Sequence, residues 1–397
     1  MANRDGDVSR ASQTTRAAGR ARATRAIAPT LLAQRLAAQQ LASPAFDEPR
    51  ALVRWLGAVQ AQDYAGAKWA VGLRLSDREL GEARVERCLA EGTILRTHVM
   101  RWTWQLVLPE DVRWMLALVA PRLLTRAARR HRELDLDAAT FRKSSTLLEK
   151  TVRDGRHRTR DELAAVLAKA GISTAKERLS HLLGRAEIDG VLCSGARRGK
   201  QFTYTHLDHR APTQRSPLAR DEALAELARR YFASRGPALL ADFAWWSGLS
   251  ASDARAGLEA IRSSLVSDVI DGHAYFHWAE SATVAAPKRA CHLLPAFDEY
   301  LVAYRNRDAL LDAEHAKRLN AGGGMLNPAV LVDGRVIGTW RRELAPAAAL
   351  LEVNLFETPT AKLQQTIARA AARFGHFLGV ETRIERWSAG GKRLRAP

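Results

Sequence analysis

The sequence predicts an α+β fold that is mainly helical, because helical segments with one apolar face alternate with short segments rich in β-branched and aromatic residues. From Thr30 onward, TLLAQRLAAQQL and EPRALVRWLGAVQAQD carry apolar residues at helical spacing, and a further helix is predicted over GEARVERCLAEGTI. The next segment, RTHVMRWTWQLVL, favours a strand pair. Helices followed by a strand pair are the outline of a winged helix, which we predict over residues 28–120.

The same order of elements returns further along the chain. After a basic helical connector, RTRDELAAVLAKAGI is predicted to begin at a cap formed by Thr159 or Asp161. A longer amphipathic helix, STAKERLSHLLGRAEIDGVL, then leads into a glycine-containing hairpin, VLCSGARRGKQFTYTHL. The connector and a second winged helix are therefore predicted over residues 121–210.

A third copy is predicted over residues 211–290, from EALAELARRYFASRG to DVIDGHAYFHW. Ile172 and Leu249 take the same place in the second and third copies, 77 residues apart (249 − 172). A repeat of this kind indicates tandem units of one architecture. The sequence thus predicts three winged-helix units in a row.

The last hundred residues change character, and we predict a small β-rich subdomain over residues 291–397. Short β-rich segments are joined by Asp333-Gly334, a pair that favours a hairpin turn. A closing amphipathic helix, TAKLQQTIARAAARFGHFLG, is predicted to end at Gly379, which can adopt the left-handed cap conformation. This helix is expected to cover the strands.

The charge of the chain points to a polyanionic partner. In 397 residues, 61 Lys and Arg oppose 43 Asp and Glu, which gives a net charge of +18. Such an excess is typical of proteins that bind nucleic acid, and the alternative is a general basic bias that only keeps the protein soluble. Residues 1–27 are predicted to be a disordered basic tail, which either holds phosphates loosely or has no such role.

Several classes of protein are disfavoured. The three cysteines, Cys88, Cys193 and Cys291, lie far apart with no CxxC spacing, so neither a zinc site nor a disulfide framework is expected. No phosphate loop, dinucleotide fingerprint or hydrolase elbow occurs, and no cofactor or metal is predicted. The chain lacks an apolar stretch of the ~20 residues that a membrane span needs, so we predict a cytoplasmic protein.

Gln60 and Gln62 are the first candidates for chemistry. Residues two apart do not share a helix face, so both glutamines can face one site only if the predicted helix ends there. An amide offers both an acceptor and a donor, so a glutamine pair could orient a water molecule without titrating. The alternative is a pair of ordinary polar residues at a helix end.

The predicted hairpin after the second helix supplies candidates for DNA contacts. Alternation along a strand separates its side chains onto two faces, so Trp102 and Trp104 are either stacking groups or core residues. A second group of cations lies at the predicted tip of the second wing. The candidate DNA-binding residues are Arg96, His98, Arg101, Trp102 and Gln105 in the hairpin, and Arg197, Arg198 and Lys200 in the wing.

Two further charged segments have simpler interpretations. The basic stretch from Arg122 to Arg160 could contact phosphates, but for most of its residues a solvated helix face is favoured. Asp298 and Glu299 are adjacent acids that helical geometry places on different faces, so we favour a structural role for them over metal binding or acid-base catalysis.

With Gln60-Ala61-Gln62 and RTHVMRWTWQLV in place, the sequence resembles the AlkZ-like DNA glycosylases of bacteria. The likeness continues through DELAAVLAKAG, ADFAWWSGL, LLPAFDEYLVAYRNRDALL and VDGRVIGTWRRE, and so covers almost everything after about residue 28. The resemblance implies a C-shaped assembly of three winged helices with a C-terminal β-barrel-like part that clasps double-stranded DNA as a monomer. It also implies excision of N-alkylated purines, including bulky adducts and interstrand crosslinks, and in some relatives self-resistance to an alkylating natural product.

By this resemblance Gln60 and Gln62 match the family's catalytic Gln-x-Gln pair, which holds the hydrolytic water. This chain departs from the pattern at Gln105, where many relatives are expected to have a histidine, and at Trp102, where smaller residues are usual. From the glutamine pair and the likeness along most of the chain, we predict a monofunctional DNA glycosylase. The rival hypothesis is a non-catalytic winged-helix protein, either a transcription regulator or a lesion-binding protein. A regulator should prefer a particular undamaged sequence and bind it as a dimer.

Overall fold

The computed structural model describes residues 30–76, 81–212, 218–279, 290–345 and 347–390, together with the backbone of 392–394. The predicted basic tail of residues 1–27 lies outside this part of the chain. About half of the chain is helical and about a quarter is strand, as the predicted mainly helical α+β class requires. None of the helices in the described part is long and apolar enough to cross a membrane.

The first unit combines four helices with a three-stranded antiparallel sheet of order β1-β3-β2. Its elements are α1 through residues 30–38, α2 (Pro49–Leu56), β1 (Val59–Gln60), α3 (Tyr64–Gly72), α4 (Glu82–Glu91), β2 (Leu95–Met100) and β3 (Thr103–Val107). The prediction that one helix continues to the glutamines was wrong. Gly57 ends α2 with φ +73°, a left-handed conformation that costs glycine little, and Gln60 lies on a strand instead.

A long connector joins the first unit to the second. The connector consists of α5 (Pro109–Glu133) and α6 (Ala138–Val152). The second unit consists of β4 (Arg158–Thr159), α7 (Arg160–Lys169), α8 (Arg178–Ile188), β5 (Leu192–Ser194), β6 (Thr203–His206) and α9 (Leu207–Arg210). Thr159 caps α7 and exchanges bonds with Glu162 in a capping box, which confirms the predicted start of this helix. The unit has its own apolar cluster, centred on residues such as Leu148 and Leu163.

The third unit repeats the same pattern. Its elements are α10 (Arg220–Arg235), α11 (Leu240–Ser247), α12 (Ala251–Ala260), β7 (Leu265–Ile270) and β8 (His273–Trp278). A backbone bridge between Ala238 and Phe276 attaches the chain before α11 to this ribbon. The ribbon is largely exposed, whereas α10 is buried along most of its second half. The helices of this unit share one apolar cluster with the first unit and the C-terminal region.

The C-terminal region is built on an open six-stranded sheet of order β16-β15-β14-β13-β12-β9. Its elements are β9 (Cys291–Leu294), α13 (Glu299–Val302), α14 (Ala316–Leu319), β10 (Asn320–Gly322), β11 (Met325–Leu326), β12 (Ala329–Val332), β13 (Arg335–Leu344), β14 (Ala348–Leu355), α15 (Ala361–Leu378), β15 (Glu381–Ala389) and β16 (Lys392–Leu394). In the described residues β16 and β9 do not pair with each other, so the expected barrel is not closed. The crossover through α15 sets β15 parallel to β14, and α15 packs against both β15 and the edge strand β9.

Two of the local predictions in this region are confirmed. The turn between β12 and β13 consists of Asp333 and Gly334, both with positive φ. The closing helix ends at Gly379 with φ +70°. Both positions need a left-handed backbone, which glycine and, less readily, aspartate adopt at low cost.

Buried ion pairs join the C-terminal region to the first and third units. The guanidinium of Arg74 donates to both oxygens of Asp298, at 2.9 and 2.8 Å. Arg235 of α10 donates to Glu299 at 2.6 Å, and all four side chains are fully buried. The structural role predicted for the adjacent acids is therefore what the structure shows.

Candidate active site

The two glutamines lie where the edge strand β1 gives way to α3. Gln60 is paired with Gln105 across β1 and β3, and the Ala61 amide donates to the Trp104 carbonyl at 2.8 Å. On the edge of β1 that does not pair with β3, the backbone amide of Gln60 donates to the carboxylate of Glu299 at 2.9 Å. Gln60 is 8% exposed and Gln62 is exposed. The motif therefore runs from the interior of the protein to its surface within three residues.

Behind Gln60, a row of polar side chains crosses the sheet. Residues directly opposite each other in antiparallel strands share a face, so Gln60, Gln105 and Thr97 lie side by side. The Thr103 hydroxyl donates to the Met100 carbonyl at 3.2 Å and accepts from Gln105 Nε2 at 2.7 Å. The amide nitrogen of Gln105 is therefore engaged within its own strand.

This row contains unsatisfied polar atoms. Gln105 Oε1 and Thr97 Oγ1 are both buried and have no hydrogen-bond partner among the described residues. A buried polar atom without a partner costs about 1–3 kcal/mol, so such atoms are rare and concentrate where a water or a ligand belongs. Gln60 therefore lies beside a free, desolvated acceptor.

The tip of the β2–β3 hairpin is a strained turn. Arg101 and Trp102 form its two-residue loop with φ of +53° and +56°, values that are uncommon outside glycine, asparagine and aspartate. Arg101 packs against Gly248 at the end of α11, and its Nε and Nη2 have no partner in the described part of the chain. Burial lowers the pKa of Arg101, and the carboxylate of Glu299 opposes this effect. Strain of this kind persists only where the surrounding structure enforces it.

The face of the hairpin opposite Gln105 packs against the second unit. His98 is buried, with Nδ1 2.6 Å from the Glu187 carboxylate of α8 and its ring 4.5 Å from that of Trp104. Trp104 is thus a packing residue, which was one of the two interpretations left open. Trp102 packs between other rings, at 5.4 Å from His131 and 5.6 Å from His181.

These rings form a histidine cluster between α5 and α8. The rings of His131 and His181 are 5.3 Å apart, and neither His131 Nε2 nor His181 Nδ1 has a hydrogen-bond partner in the described residues. Burial, with the nearby His181 and Arg185, lowers the pKa of His131 to about 4. Burial also lowers the pKa of His181, so His131 and His181 are neutral near pH 7 and pack between the hairpin and the second unit.

Arg96 is also buried rather than directed toward solvent. Its Nε donates to the Ala61 carbonyl at 3.0 Å, so it supports the backbone between the two glutamines. Its guanidinium lies between two rings, 4.2 Å from Trp104 and 4.7 Å from Phe202. In this conformation Arg96, like His98 and Gln105, has its partners inside the protein, and its predicted contact with DNA stays a prediction.

The second wing carries its cations in three different settings. Arg197 is half-buried and donates to the carbonyl of Lys200 at 3.0 Å. Arg198 is exposed but pairs with Glu162 at 2.7 Å. Lys200 is exposed, and no side-chain partner is found for it in the described residues. Of the predicted wing contacts, Lys200 is the most accessible to a phosphate.

The structure brings to this site two aromatic residues that the sequence analysis did not single out. Tyr64 at the start of α3 and Phe202 from the second wing have ring centroids 5.0 Å apart and ring planes at 82° to each other. The Tyr64 hydroxyl donates to Glu86 at 2.7 Å. Although burial opposes it, hydrogen bonds from Lys68 and Tyr64 hold the pKa of Glu86 below its usual range. A signal was present, since Tyr64 lies two residues after Gln62 and Phe202 two residues after Lys200.

Comparison with known proteins fits this geometry. The family model described as "DNA glycosylase AlkZ-like" matches residues 53–377. A curated relative, the interstrand DNA cross-link repair glycosylase of Streptomyces sahachiroi, is 29% identical over 318 residues, which is 74% of this chain and 84% of the relative. The solved structure of the Streptomyces sahachiroi DNA glycosylase AlkZ matches 90% of this chain and 98% of its own, with a TM-score of 0.71 at 24% identity, and so shows a shared fold.

These matches define the class of the protein as a DNA glycosylase, an enzyme that cleaves the bond between a base and its sugar. Because the family model covers well over half of the sequence, the chain belongs to the AlkZ-like DNA glycosylase family. The rival hypothesis of a transcription regulator finds no support in these comparisons.

Proposed function

We propose that the protein is a monofunctional DNA-repair glycosylase that hydrolyses the N-glycosidic bond of alkylated purines, with a water held by Gln60 and Gln62. Its substrates under this proposal are N7-alkylguanine and N3-alkyladenine, including bulky adducts and interstrand crosslinks. The printed name of the Streptomyces sahachiroi relative, a cross-link repair glycosylase, supports the repair role. The observation that carries the catalytic assignment is the position of the two glutamines, one beside a free buried acceptor and one at the surface.

The chemistry is compatible with neutral amides. Alkylation at N7 or N3 places positive charge on the purine, so the base leaves without a strong general acid. The purine leaves as a neutral base with the electron pair of the glycosidic bond. A water positioned by the side-chain amides of Gln62 and Gln60 attacks the anomeric carbon and releases its proton to solvent, and holding that water in place supplies much of the rate enhancement. The neighbouring carboxylate of Glu299 is already bound to Arg235 and to the Gln60 backbone, so it positions the strand and does not contact substrate.

The proposed mode of binding follows from the repeated units. We propose that the three units act as winged helices arranged in a C around duplex DNA, that the protein binds as a monomer, and that it works in the cytoplasm at the nucleoid. Net charge of +18 and the exposed Lys200 and Arg198 at the second wing support a contact with the phosphate backbone. A bulky adduct resists extrusion into a tight pocket, so the lesion is approached from the groove.

Excision by the purified protein tests this proposal. Duplexes with N7-methylguanine, N3-methyladenine or a bulky N7 adduct, and an undamaged duplex, are incubated with protein and assayed for abasic sites after mild alkali. We expect abasic sites only in damaged DNA, with Gln60→Ala and Gln62→Ala each slowing single-turnover excision by about 100-fold, the order expected when a reacting group loses its position. Leu218→Ala, which truncates an exposed side chain before α10, is the control.

Two outcomes would contradict the proposal in different ways. Unchanged excision by both glutamine variants would refute the catalytic assignment while leaving the enzyme class intact. Tight binding to damaged DNA with no base released from any lesion would instead favour a protein that binds and shields lesions.

A further inference from the structure

Next to the glutamine motif, four side chains form an aromatic cradle, which we define as Tyr64, Arg96, Arg197 and Phe202. Arg96 lies 4.7 Å from the centre of the Phe202 ring, and Arg197 lies 5.3 Å from it. Arg197 is also 5.1 Å from the Tyr64 ring. Two guanidiniums thus sit around two rings that contact each other edge-on.

The cradle is tied to the glutamine motif by covalent and hydrogen-bonded links. Tyr64 follows Gln62 by two residues, at the start of α3. Arg96 donates to the carbonyl of Ala61, the residue between the glutamines. Phe202 comes from the second unit, so the cradle forms only where the first and second units meet. A ligand that stacks on these rings would therefore contact side chains that are linked directly to the segment carrying Gln60 and Gln62.

The cradle is open on one side. Phe202 is 37% exposed, which is a large exposure for an aromatic ring that already packs on a buried arginine. The shallow groove beside it is lined by the cradle together with polar groups of Glu86 and Ser194. Arg197 Nε is buried and has no hydrogen-bond partner in the described residues. The groove thus offers a partly exposed aromatic ring beside a carboxylate and a hydroxyl.

The charges of the cradle select among planar ligands. An alkylated purine is cationic, and the guanidiniums of Arg96 and Arg197 would repel it. A neutral ring is attracted instead, because aromatic and guanidinium planes both stack on the π-face of any nucleobase. The exposed cations Arg198 and Lys200 on the same wing can hold the adjoining phosphates. The preferred occupant is therefore neutral, planar and attached to a polyanion.

We propose that the aromatic cradle is a binding site for an undamaged nucleobase of the DNA, separate from the damaged base that is excised. The proposal rests on the proposed function, because it assumes that the glutamine motif faces DNA. Phe202 is its central residue, and the stacked base would fix the register of the strand relative to Gln60 and Gln62.

The test pairs a change in the protein with a change in the DNA. The full chain and its Phe202→Ala variant are titrated by fluorescence anisotropy, at fixed salt, into a duplex with a central tetrahydrofuran abasic analogue that cannot be cleaved. Bases around the analogue are then replaced one at a time by the same spacer. We expect Phe202→Ala to weaken binding about 5- to 150-fold, as removal of a stacking ring does. At one position, replacing the base by the spacer should weaken DNA binding of the wild type by a similar factor, but should weaken DNA binding of the variant by less than about 2-fold.

Controls separate stacking from folding. Phe202→Leu keeps the apolar volume and loses the ring, and should lose most of the same affinity while its circular dichroism and Tm match the wild type. Leu218→Ala truncates a side chain of similar exposure, 40%, and should bind as the wild type does.

The possible results have distinct meanings. If every spacer weakens wild type and variant equally, or if Phe202→Leu binds normally, no base stacks on the cradle and it serves only to join the two units. Since the duplex contains nothing to excise, either result would leave the glycosylase proposal standing. A wild type that does not bind the duplex at all would overturn the cradle proposal, whereas the glycosylase proposal would still be decided by excision from damaged DNA.

Discussion

Replacing Gln105 by methionine should separate stability from activity. Methionine has a similar volume but cannot donate to Thr103, so one buried hydrogen bond worth about 1 kcal/mol is lost. The same change removes the unpartnered Gln105 Oε1, whose burial costs about 1–3 kcal/mol. The Thr103 hydroxyl still donates to the Met100 carbonyl. The balance is a free energy of unfolding that is unchanged or raised by about 2 kcal/mol.

The effect on catalysis should have the opposite sign. Gln105 lies opposite Gln60 in the sheet, and its side-chain oxygen Oε1 has no partner in the described residues. We expect this oxygen to accept a hydrogen bond from the side-chain NH₂ of Gln60, which would turn the side-chain oxygen of Gln60 toward the water. Without it, we expect single-turnover excision to slow by about 10- to 100-fold, as when a reacting group loses its orientation. Gln105→Glu keeps an acceptor when ionised, so it should recover part of the rate, and that recovery should be lost as pH falls and the carboxylate is protonated.

The assay combines urea unfolding followed by circular dichroism with single-turnover excision of N7-methylguanine. A Gln105→Met protein that is destabilised by more than about 1 kcal/mol would refute the stability argument, because the unpartnered oxygen would then have to be satisfied in the native state. A stable variant with normal excision would refute the positioning role and leave the roles of Gln60 and Gln62 to their own variants.

Three further results are expected. Glu299→Ala leaves the fully buried Arg235 without its counter-charge and should destabilise the fold by about 3–5 kcal/mol, seen as a lower urea midpoint; an unchanged midpoint would show that the pair carries no net stability. The pKa of His131 is lowered to about 4 in the folded protein, so neutral His131 contributes fully to the free energy of unfolding at pH values above its unfolded-state pKa of about 6.5. This contribution is lost as the pH falls from there toward 4. His131→Gln should therefore reduce the acid sensitivity of Tm between pH 7 and 5, whereas the exposed His273→Gln should not. Lys200→Ala should lower the salt dependence of duplex binding by about one phosphate contact, a change of about 0.9 in the slope of log K against log salt, and an identical slope would place Lys200 away from DNA.

Local structure was predictable wherever a few neighbouring residues determine it. Thr159 and Glu162 cap α7, and Asp333-Gly334 and Gly379 adopt the backbone conformations that their types favour. The error at the end of α2 has an equally local cause. The apolar spacing continues past Leu56, and it outweighed the single Gly57 that ends the helix.

The site itself was less predictable, because its members are joined through distant pairings. In the sequence, Arg96 and Lys200 are both cations in β-rich segments, yet one is buried between two rings and the other is exposed. Only the contact between the first and second units distinguishes them. Phe202 was missed for the same reason, since its partners Tyr64 and Arg96 lie more than 100 residues earlier in the chain. The barrel-like form of the C-terminal part was expected from the family resemblance. The order of its strands depends on the crossover through α15, which no local pattern encodes.

The strand that carries Gln60 is two residues long, and one of its edges is completed by a carboxylate 239 residues further along the chain. During synthesis, the first unit leaves the ribosome long before Glu299 and Arg235 can meet. Until they meet, the backbone amide of Gln60 lacks its acceptor and this edge of the sheet is unpaired. The backbone of the glutamine motif is therefore fully paired only after the chain has been made beyond Glu299. Under the proposed role of Gln60 and Gln62, we therefore expect a chain that stops short of Glu299 to lack base excision activity.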